Sequence, residues 1–190
     1  MPRIPMKTHI HDKVLAYDGA AIRPHWARRV FGIAGDSAVS FRGPCDVNPS
    51  EVQDMEEVIS GDEIRSSDMV HFIVEHFGPD LDSAVLRSRL LAALAFESLR
   101  NSAGDGLSRR GDDLYLGVRK MSVCVATVTP VSVKIHFGVN VTGKGAPVDA
   151  AGLEDVGADP WEFAVKLLAS YESEMRGCRD ARCKSRGVGP

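Results

Sequence analysis

Cysteine is scarce: Cys45, Cys124, Cys178 and Cys183 lie scattered through a chain of 190 residues. That count and spacing exclude a disulfide framework, and the thiols are expected to be reduced. Cys178 and Cys183 have no partner pair at zinc-knuckle spacing, so no structural metal is expected. Charge of one sign is lacking too: a formal net charge of −3 gives no global attraction to nucleic acid. No apolar run approaches the roughly 18 residues that a bilayer span requires, and the opening MPRIPMKTHIHDK has no apolar segment of the signal-peptide kind. A cytoplasmic protein without membrane contact is expected. Internal repeats and low-complexity tracts are also missing.

What is present is the composition of an ordinary globular domain, 44% hydrophobic and 26% charged. Residues 1–190 read as one domain, with 176–190, RGCRDARCKSRGVGP, as a mobile basic tail. DKVLAYD, residues 12–18, reads as a short strand, and RPHWARRVFG as a short helix with Pro24 in its first turn and Gly32 at its end. DSAVSFRG alternates as a strand and is broken by Gly43 and Pro44. The acidic segment 46–64, punctuated by Pro and Gly, is expected as a surface connection with one helical turn. DMVHFIVEHF, rich in β-branched and aromatic residues, reads as a strand.

From Asp80 or Asp82 to about Arg100, Leu81, Val85, Leu90, Leu91, Leu94 and Leu99 recur at helical spacing, and NSAGDG stops the helix. Three strands follow, 114–116, 120–128 and 132–141, expected as an antiparallel meander with a turn at Thr129 and Pro130. A last helix, capped by Asp159 with Pro160 in its first turn, ends near Met175. This order predicts an α+β domain, a mixed and mostly antiparallel sheet with helices packed on it.

Strand alternation nominates the candidate site. In the last strand Val131, Val133, Ile135, Phe137, Val139 and Val141 share one face, and Ser132, Lys134, His136, Gly138, Asn140 and Thr142 the other. The strand before it divides into Met121, Val123 and Val125 against Ser122, Cys124 and Ala126. If the two faces of small residues coincide, Cys124, His136 and Asn140 floor a shallow pocket. His71 and Glu75 share a face of their strand. They stand roughly 13 Å apart, too far to hold one metal but able to line a pocket. A charged Glu75 in so apolar a strand calls for a buried partner. His9 and His11 read as part of a solvated arm, and Cys45 as an accessible loop thiol.

These residues carry a resemblance. Over residues 9–186 the chain is similar to an uncharacterised prokaryotic family, domain of unknown function 366, through YDG, HW, GDSAVSFRGPCDV, SSDMVHFIVEHF, RRGDDLYLGVRKMSVCVAT and ARCKSR. More distantly, DDLYLGVRKMSVCVATVTPVSVKIHFGVNV resembles the central motif of the biotin protein ligase, lipoate ligase and octanoyl transferase superfamily. That motif is an Asn-Asp pair, a strand, an Arg/Gly-Lys step, a strand and a G-x-N-V strand. The resemblance implies an α+β catalytic domain related to class II aminoacyl-tRNA synthetases, a small carboxylic acid substrate, ATP with magnesium, and a carrier-protein or RNA acceptor.

Carried onto this sequence, the resemblance puts Asp112 and Asp113 near a nucleotide and its magnesium. Lys120 takes the place of the lysine that contacts the acyl carboxylate and α-phosphate, and Gly138, Asn140 and Val141 fit the G-x-N-V strand. SFRGPCDVN resembles the GR-x-Q-N-P element of lipoate ligases, which puts Arg42 and Gly43 near the ligand. Arg109 and Arg110 stand where cations for a nucleotide would be needed. His71, Ser122 and His136 complete the substrate-binding candidates. Two departures stand out. Met121, Ser122 and Val123 replace the glycine that the superfamily places just after its lysine, and the Gly/Arg-rich nucleotide loop and the Lys-Trp-Pro step are missing.

A lysine suits the expected chemistry, since its compact ammonium stabilises charge that develops on a carboxylate and a phosphate together. Paired carboxylates suit magnesium. Cys124 is the candidate nucleophile of an ATP-independent acyl transferase, given a thiolate stabilised by Lys120 or His136. A third reading is a non-catalytic module on the same fold that recognises a small molecule, a protein or an RNA element through its arginine-rich C-terminus.

Overall fold

A computed structural model describes residues 5–78, 80–184 and 186. In chain order its strands are β1 (Lys7–Ile10), β2 (Ser37–Asp46), β3 (Arg65–Phe77), β4 (Leu107–Arg110), β5 (Asp113–Leu116), β6 (Arg119–Lys120), β7 (Ser122–Val128) and β8 (Ser132–Asn140). Its helices are α1 (Trp26–Phe31), α2 (Met55–Ser60), α3 (Leu81–Ala103) and α4 (Pro160–Lys184). The main sheet has the order β1-β2-β3-β8-β7, and a small second sheet the order β4-β5-β6. β1 runs parallel to β2, and the other pairs of the main sheet are antiparallel. The expected α+β domain with a mixed, mostly antiparallel sheet is the one observed.

The two long helices cover one face of the main sheet. Asp80 opens α3 by accepting from the Ser83 amide, and α3 buries Ala84, Ser88, Leu91, Ala92, Ala95 and Leu99 at three- and four-residue spacing. Asp159 Oδ1 accepts from the Glu162 amide at 2.8 Å to open α4, as its sequence predicts. α4 buries Phe163, Ala164, Leu167, Leu168, Tyr171 and Met175. These residues meet Val70, Phe72 and Val74 of β3 and Ile135, Phe137 and Val139 of β8 in one core. Each such side chain contributes about 1.5–3 kcal/mol by leaving water.

The opposite face is buried as well. Val39, Phe41, Met69 and Ile73 pack under Tyr17, Ile22, Trp26, Ala27 and Val47 in a second core. The even-numbered face of β8, which the sequence marks as polar, therefore lies inside the protein. Lys134 is fully buried with its ammonium 3.3 Å from Glu75. Glu75 also accepts from Ser132 Oγ at 2.7 Å and from the His25 amide at 2.8 Å, which supplies the partners its burial requires.

Several expectations are corrected. The first strand is Lys7–Ile10, in the segment read as a solvated arm, and the His9 ring packs tilted against Phe31 with centroids 4.7 Å apart. Residues 12–18 form no strand of their own; they follow β2 through single hydrogen bonds such as Leu15 N to Arg42 O. α1 begins at Trp26 with His25 at its cap, so Pro24 precedes the helix. β2 continues through Gly43 and Pro44 to Asp46 and only shifts register there. This buries Cys45 to 1% exposure and removes the accessible loop thiol. The expected meander is split, because residues 107–116 and 119–120 pair among themselves and only β7 and β8 join the main sheet. α4 runs on to Lys184, past the expected end at Met175. Within the segment read as a tail, residues 185 and 187–190 lie outside the described residues.

Candidate functional site

Lys120 is held by its backbone from two sides. Its amide donates to Asp149 O and its carbonyl accepts from the Ala151 amide, both at 3.0 Å, while Asn140 Nδ2 donates to Ala151 O at 3.1 Å. Asn140 thus clamps the segment that carries Lys120, and it lines the same pocket. That pocket, of about 180 Å³, is walled by Lys120, Ser122, Val123, Asn140, Met69 and Glu57 among others. The buried Ser122 hydroxyl is committed to the Leu114 amide at 2.8 Å, which ties β7 to β5.

The Lys120 ammonium lies 3.0 Å from Asp113 Oδ2, with about a third of the lysine side chain exposed. Burial pulls the lysine pKa down, but Asp113, Tyr115 and Glu57 outweigh it, and the pKa lies above the ordinary lysine value. Burial raises the Asp113 pKa, and Lys120 offsets only part of that rise. Glu57 is raised as well, first by burial and then by Asp54, with Lys120 opposing. The site is a half-buried cation among two acids that burial makes reluctant to ionise.

Further along the same face lies an aromatic stack. His71 Nδ1 is 3.1 Å from His136 Nε2, and His71 Nε2 is 3.2 Å from Gly43 O. Because a carbonyl only accepts, Nε2 of His71 carries a proton, Nδ1 accepts, and Nε2 of His136 donates. Tyr17 stacks on His136 at 3.8 Å between centroids and on His71 at 5.2 Å. Burial pulls His71 down to about 4, and burial with the neighbouring His71 lowers His136 well below its ordinary range, so both rings are neutral near pH 7. Gly43 is needed where it stands, since a Cβ there would come within 2.2 Å of Leu15 O.

The register of β7 on β8 does not bring the two faces of small residues together. Val123 pairs with Gly138 and Val125 with His136, while Cys124 pairs with Phe137 and faces the helices. The pocket floored by Cys124, His136 and Asn140 is therefore not formed. Burial, then Asp112 and Asp113, push the Cys124 thiol well above its ordinary pKa, which disfavours the thiolate a nucleophile needs. Gly138 is covered: a Cβ there would lie 2.8 Å from the Met69 methyl and 3.3 Å from Val123.

Arg42 sits on the helix side of the main sheet, paired through two nitrogens with Asp68 at 2.6–3.1 Å. It lines a different cleft, of about 510 Å³, beside Trp161 and Pro160. The structure thus separates Arg42 from Lys120. Arg109 donates to Gly111 O within its own turn, Arg110 stacks on Tyr115 at 4.8 Å, and neither lines the Lys120 pocket. Asp113 is engaged by Lys120, and Asp112, in the turn before β5, is near enough to raise the pKa of both Asp113 and Cys124. Among the described residues no group of three or more His, Cys, Asp or Glu is arranged to hold a metal. Nor is any described helix long and apolar enough to cross a membrane.

Sequence reading missed Tyr17 and Glu57. Tyr17 comes from an irregular segment and Glu57 from an acidic connection, and only the burial of the second sheet face reveals either.

This strand order, with helices on one face and a lysine-bearing pocket at the other, defines a domain with the fold of the biotin protein ligase catalytic domain. Biotin protein ligase from Aquifex aeolicus in complex with biotin and ATP matches with a TM-score of 0.52 at 14% identity, over 92% of this chain and 70% of that one. A protein from T. acidophilum described as a candidate lipoate protein ligase matches with a TM-score of 0.54 at 13% identity, over 90% of this chain and 86% of that one. The chain belongs to the family described as Domain of unknown function (DUF366), whose pattern matches residues 6–186. An uncharacterized protein of Methanocaldococcus jannaschii is 43% identical over 168 residues, 85% of this chain and 76% of that protein. A protein of unknown function from Pyrococcus horikoshi has a TM-score of 0.92 at 46% identity, over 97% of this chain and 100% of that one.

Proposed function

We propose that this protein binds a small carboxylic acid at Lys120 and activates or transfers its acyl group to a carrier-protein or RNA acceptor. The observation that carries the reading is the half-buried Lys120 ammonium, fixed by Asp113 in a pocket on the fold that biotin ligases use. In that position the ammonium lies against the carboxylate, and Asn140 holds the backbone that presents it. A cation in a partly dry site stabilises the charge that builds on the carboxyl oxygens more strongly than water does.

ATP with magnesium is the cofactor that this class of chemistry would use, but Asp113 is committed to Lys120, and among the described residues no group of three or more His, Cys, Asp or Glu is arranged to hold an ion. No step is therefore routed through the nucleotide. A second reading, a non-catalytic binding module, is favoured by the Met69 methyl and Val123 closing over Gly138, where a ligand would otherwise lie on the strand.

ATP–pyrophosphate exchange over a panel of small carboxylic acids, run beside Lys120→Ala, tests the proposal. Exchange that depends on one acid and is lost in a folded Lys120→Ala protein supports acyl activation. Acid binding that needs Lys120 without any exchange supports the module, and acid binding indifferent to Lys120 sinks both.

A further inference from the structure

A third cavity lies far from Lys120 in sequence and on the helix side of the sheet, apart from the Arg42 cleft. It occupies about 630 Å³ between the first turns of α3 and the last turns of α4. Arg87 enters it from α3, and Arg179 and Arg182 from α4, while Leu86, Leu90 and Met175 form an apolar wall. Leu86 is 70% exposed. The floor is a fixed hydrogen-bonded chain: His76 Nδ1 lies 3.1 Å from Asp36 Oδ2, and His76 Nε2 lies 3.0 Å from the Tyr171 hydroxyl. Asp36 accepts from the Phe77 amide as well, at 2.9 Å. With Asp36 accepting at Nδ1, that nitrogen carries the proton and Nε2 accepts from tyrosine, so the floor is ordered and its histidine neutral.

Arg87 and Arg179 are half-buried, and among the described residues neither they nor Arg182 form a salt bridge. Arg87 and Arg179 line one cavity with His76, whose pKa burial lowers, Asp36 raises and the two arginine charges lower. Guanidinium groups are costly to desolvate unless an anion meets them, and their planar donor forks match oxyanions. Against the Asp36 carboxylate of the same cavity, which His76 and the Phe77 amide engage, three arginines leave an excess of positive charge that a phosphate, with more than one negative charge, matches better than a single carboxylate does. The volume falls in the ordinary range for small-molecule sites, roughly 300–1,000 Å³.

We infer that the α3–α4 cavity is a binding site for a phosphate-bearing small molecule, its phosphate held by Arg87 and Arg179 and its apolar body against Leu86, Leu90 and Met175. The inference is independent of the Lys120 reading, because no residue is shared between the two pockets. Cys178 and Cys183 are exposed and line the same cavity, whereas Cys45 and Cys124 do not, so the two thiols report on occupancy.

Calorimetry on the full chain with inorganic pyrophosphate and 1-naphthyl phosphate, with sulfate as reference oxyanion, tests this beside the alkylation rates of Cys178 and Cys183. Both phosphates are expected to bind more tightly than sulfate and to slow alkylation at both thiols. Arg87→Gln and Arg179→Gln should each weaken binding by about tenfold or more, while Lys120→Ala leaves it unchanged. Arg87→Lys and Arg179→Lys keep the charge without the fork and should fall between wild type and the glutamine variants, which separates binding from folding. No binding of either phosphate at millimolar concentration overturns the inference, as does binding that the arginine variants leave intact or that Lys120→Ala abolishes. Arginine-dependent binding of a short RNA oligonucleotide without binding of either small phosphate also overturns it, in favour of a nucleic-acid surface.

Discussion

Lys120 and Asp113 make a direct ion pair, 3.0 Å between ammonium and carboxylate, and so the two residues that the ligase motif would assign to substrate and to magnesium neutralise each other. An incoming carboxylate must compete with Asp113 for the same ammonium. Asp113→Asn keeps the shape and removes the competitor. Octanoate and lipoate, titrated by calorimetry, are expected to bind about two- to fivefold more tightly, the worth of a partly exposed pair. Global stability should change by less than about 1 kcal/mol. An unchanged affinity for both acids would separate the pair from carboxylate binding.

The stacked pair His71 and His136 makes stability depend on pH. His71 is lowered from 6.5 to about 4 by burial, so the folded state binds fewer protons than the unfolded one between those values. Its contribution is complete above about pH 6.5, declines as pH falls toward 4, and is constant below that. His136 and His76 are shifted in the same direction and steepen the decline. Urea midpoints measured from pH 7 to pH 4 should fall, and His71→Gln should make the fall shallower even where it lowers stability overall. A profile as steep in the variant as in the wild type would contradict the assignment.

The buried pair of Lys134 and Glu75 gives an asymmetric result when only one side is removed. Lys134→Met leaves Glu75 with Ser132 and the His25 amide but without its counter-charge, and should cost about 3–5 kcal/mol. An uncompensated buried carboxylate takes up a proton more readily, so the deficit should shrink as the pH is lowered toward 5. Chemical denaturation at pH 8 and pH 5 checks both the size and the sign.

Gly43→Ala should be far more damaging than a glycine change in open space. A Cβ at 43 meets Leu15 O at 2.2 Å, and backbone atoms cannot step aside as the end of a side chain can. A loss of about 1–3 kcal/mol or more is expected. At Gly32 a Cβ meets nothing within 4 Å and the backbone has φ +69°, so Gly32→Ala should cost about 1 kcal/mol, from backbone conformation alone. Equal losses in thermal melts would show that the close approach to Leu15 does not limit the fold.

How much of this could be read from residues alone varied with the kind of signal. α3 and β8 carry long runs with one clear period, β3 is rich in β-branched and aromatic residues, and Asp159 with Pro160 marks the start of α4 by local chemistry, so these elements are legible. β1 has only four residues and its hydrogen bonds come from β2, thirty positions away in register, so nothing local marks it. The face of Cys124 was open for a different reason. Side chains alternate with a period of two, so one residue of slip exchanges every face. The register is set at the turn between the strands, where Val128 pairs with Val133 and the Thr129 amide donates to Ser132 O. Arg42 was placed by resemblance, and the register of β2 against β3 puts it beside Val70, on the face away from Lys120.

The strand order also bears on how the chain is made. β3 pairs on one side with β2, which precedes it closely, and on the other with β8, which leaves the ribosome about 55 residues later. At ordinary synthesis rates that interval lasts roughly 3–10 s. Throughout it, the apolar segment from Met69 to Val74 presents an open edge to every other nascent chain nearby. α3 is the next element to emerge and can shelter one face of that strand, but not its edge. For this strand the exposure to misassembly during synthesis ends when β8 arrives and fills the place between β3 and β7.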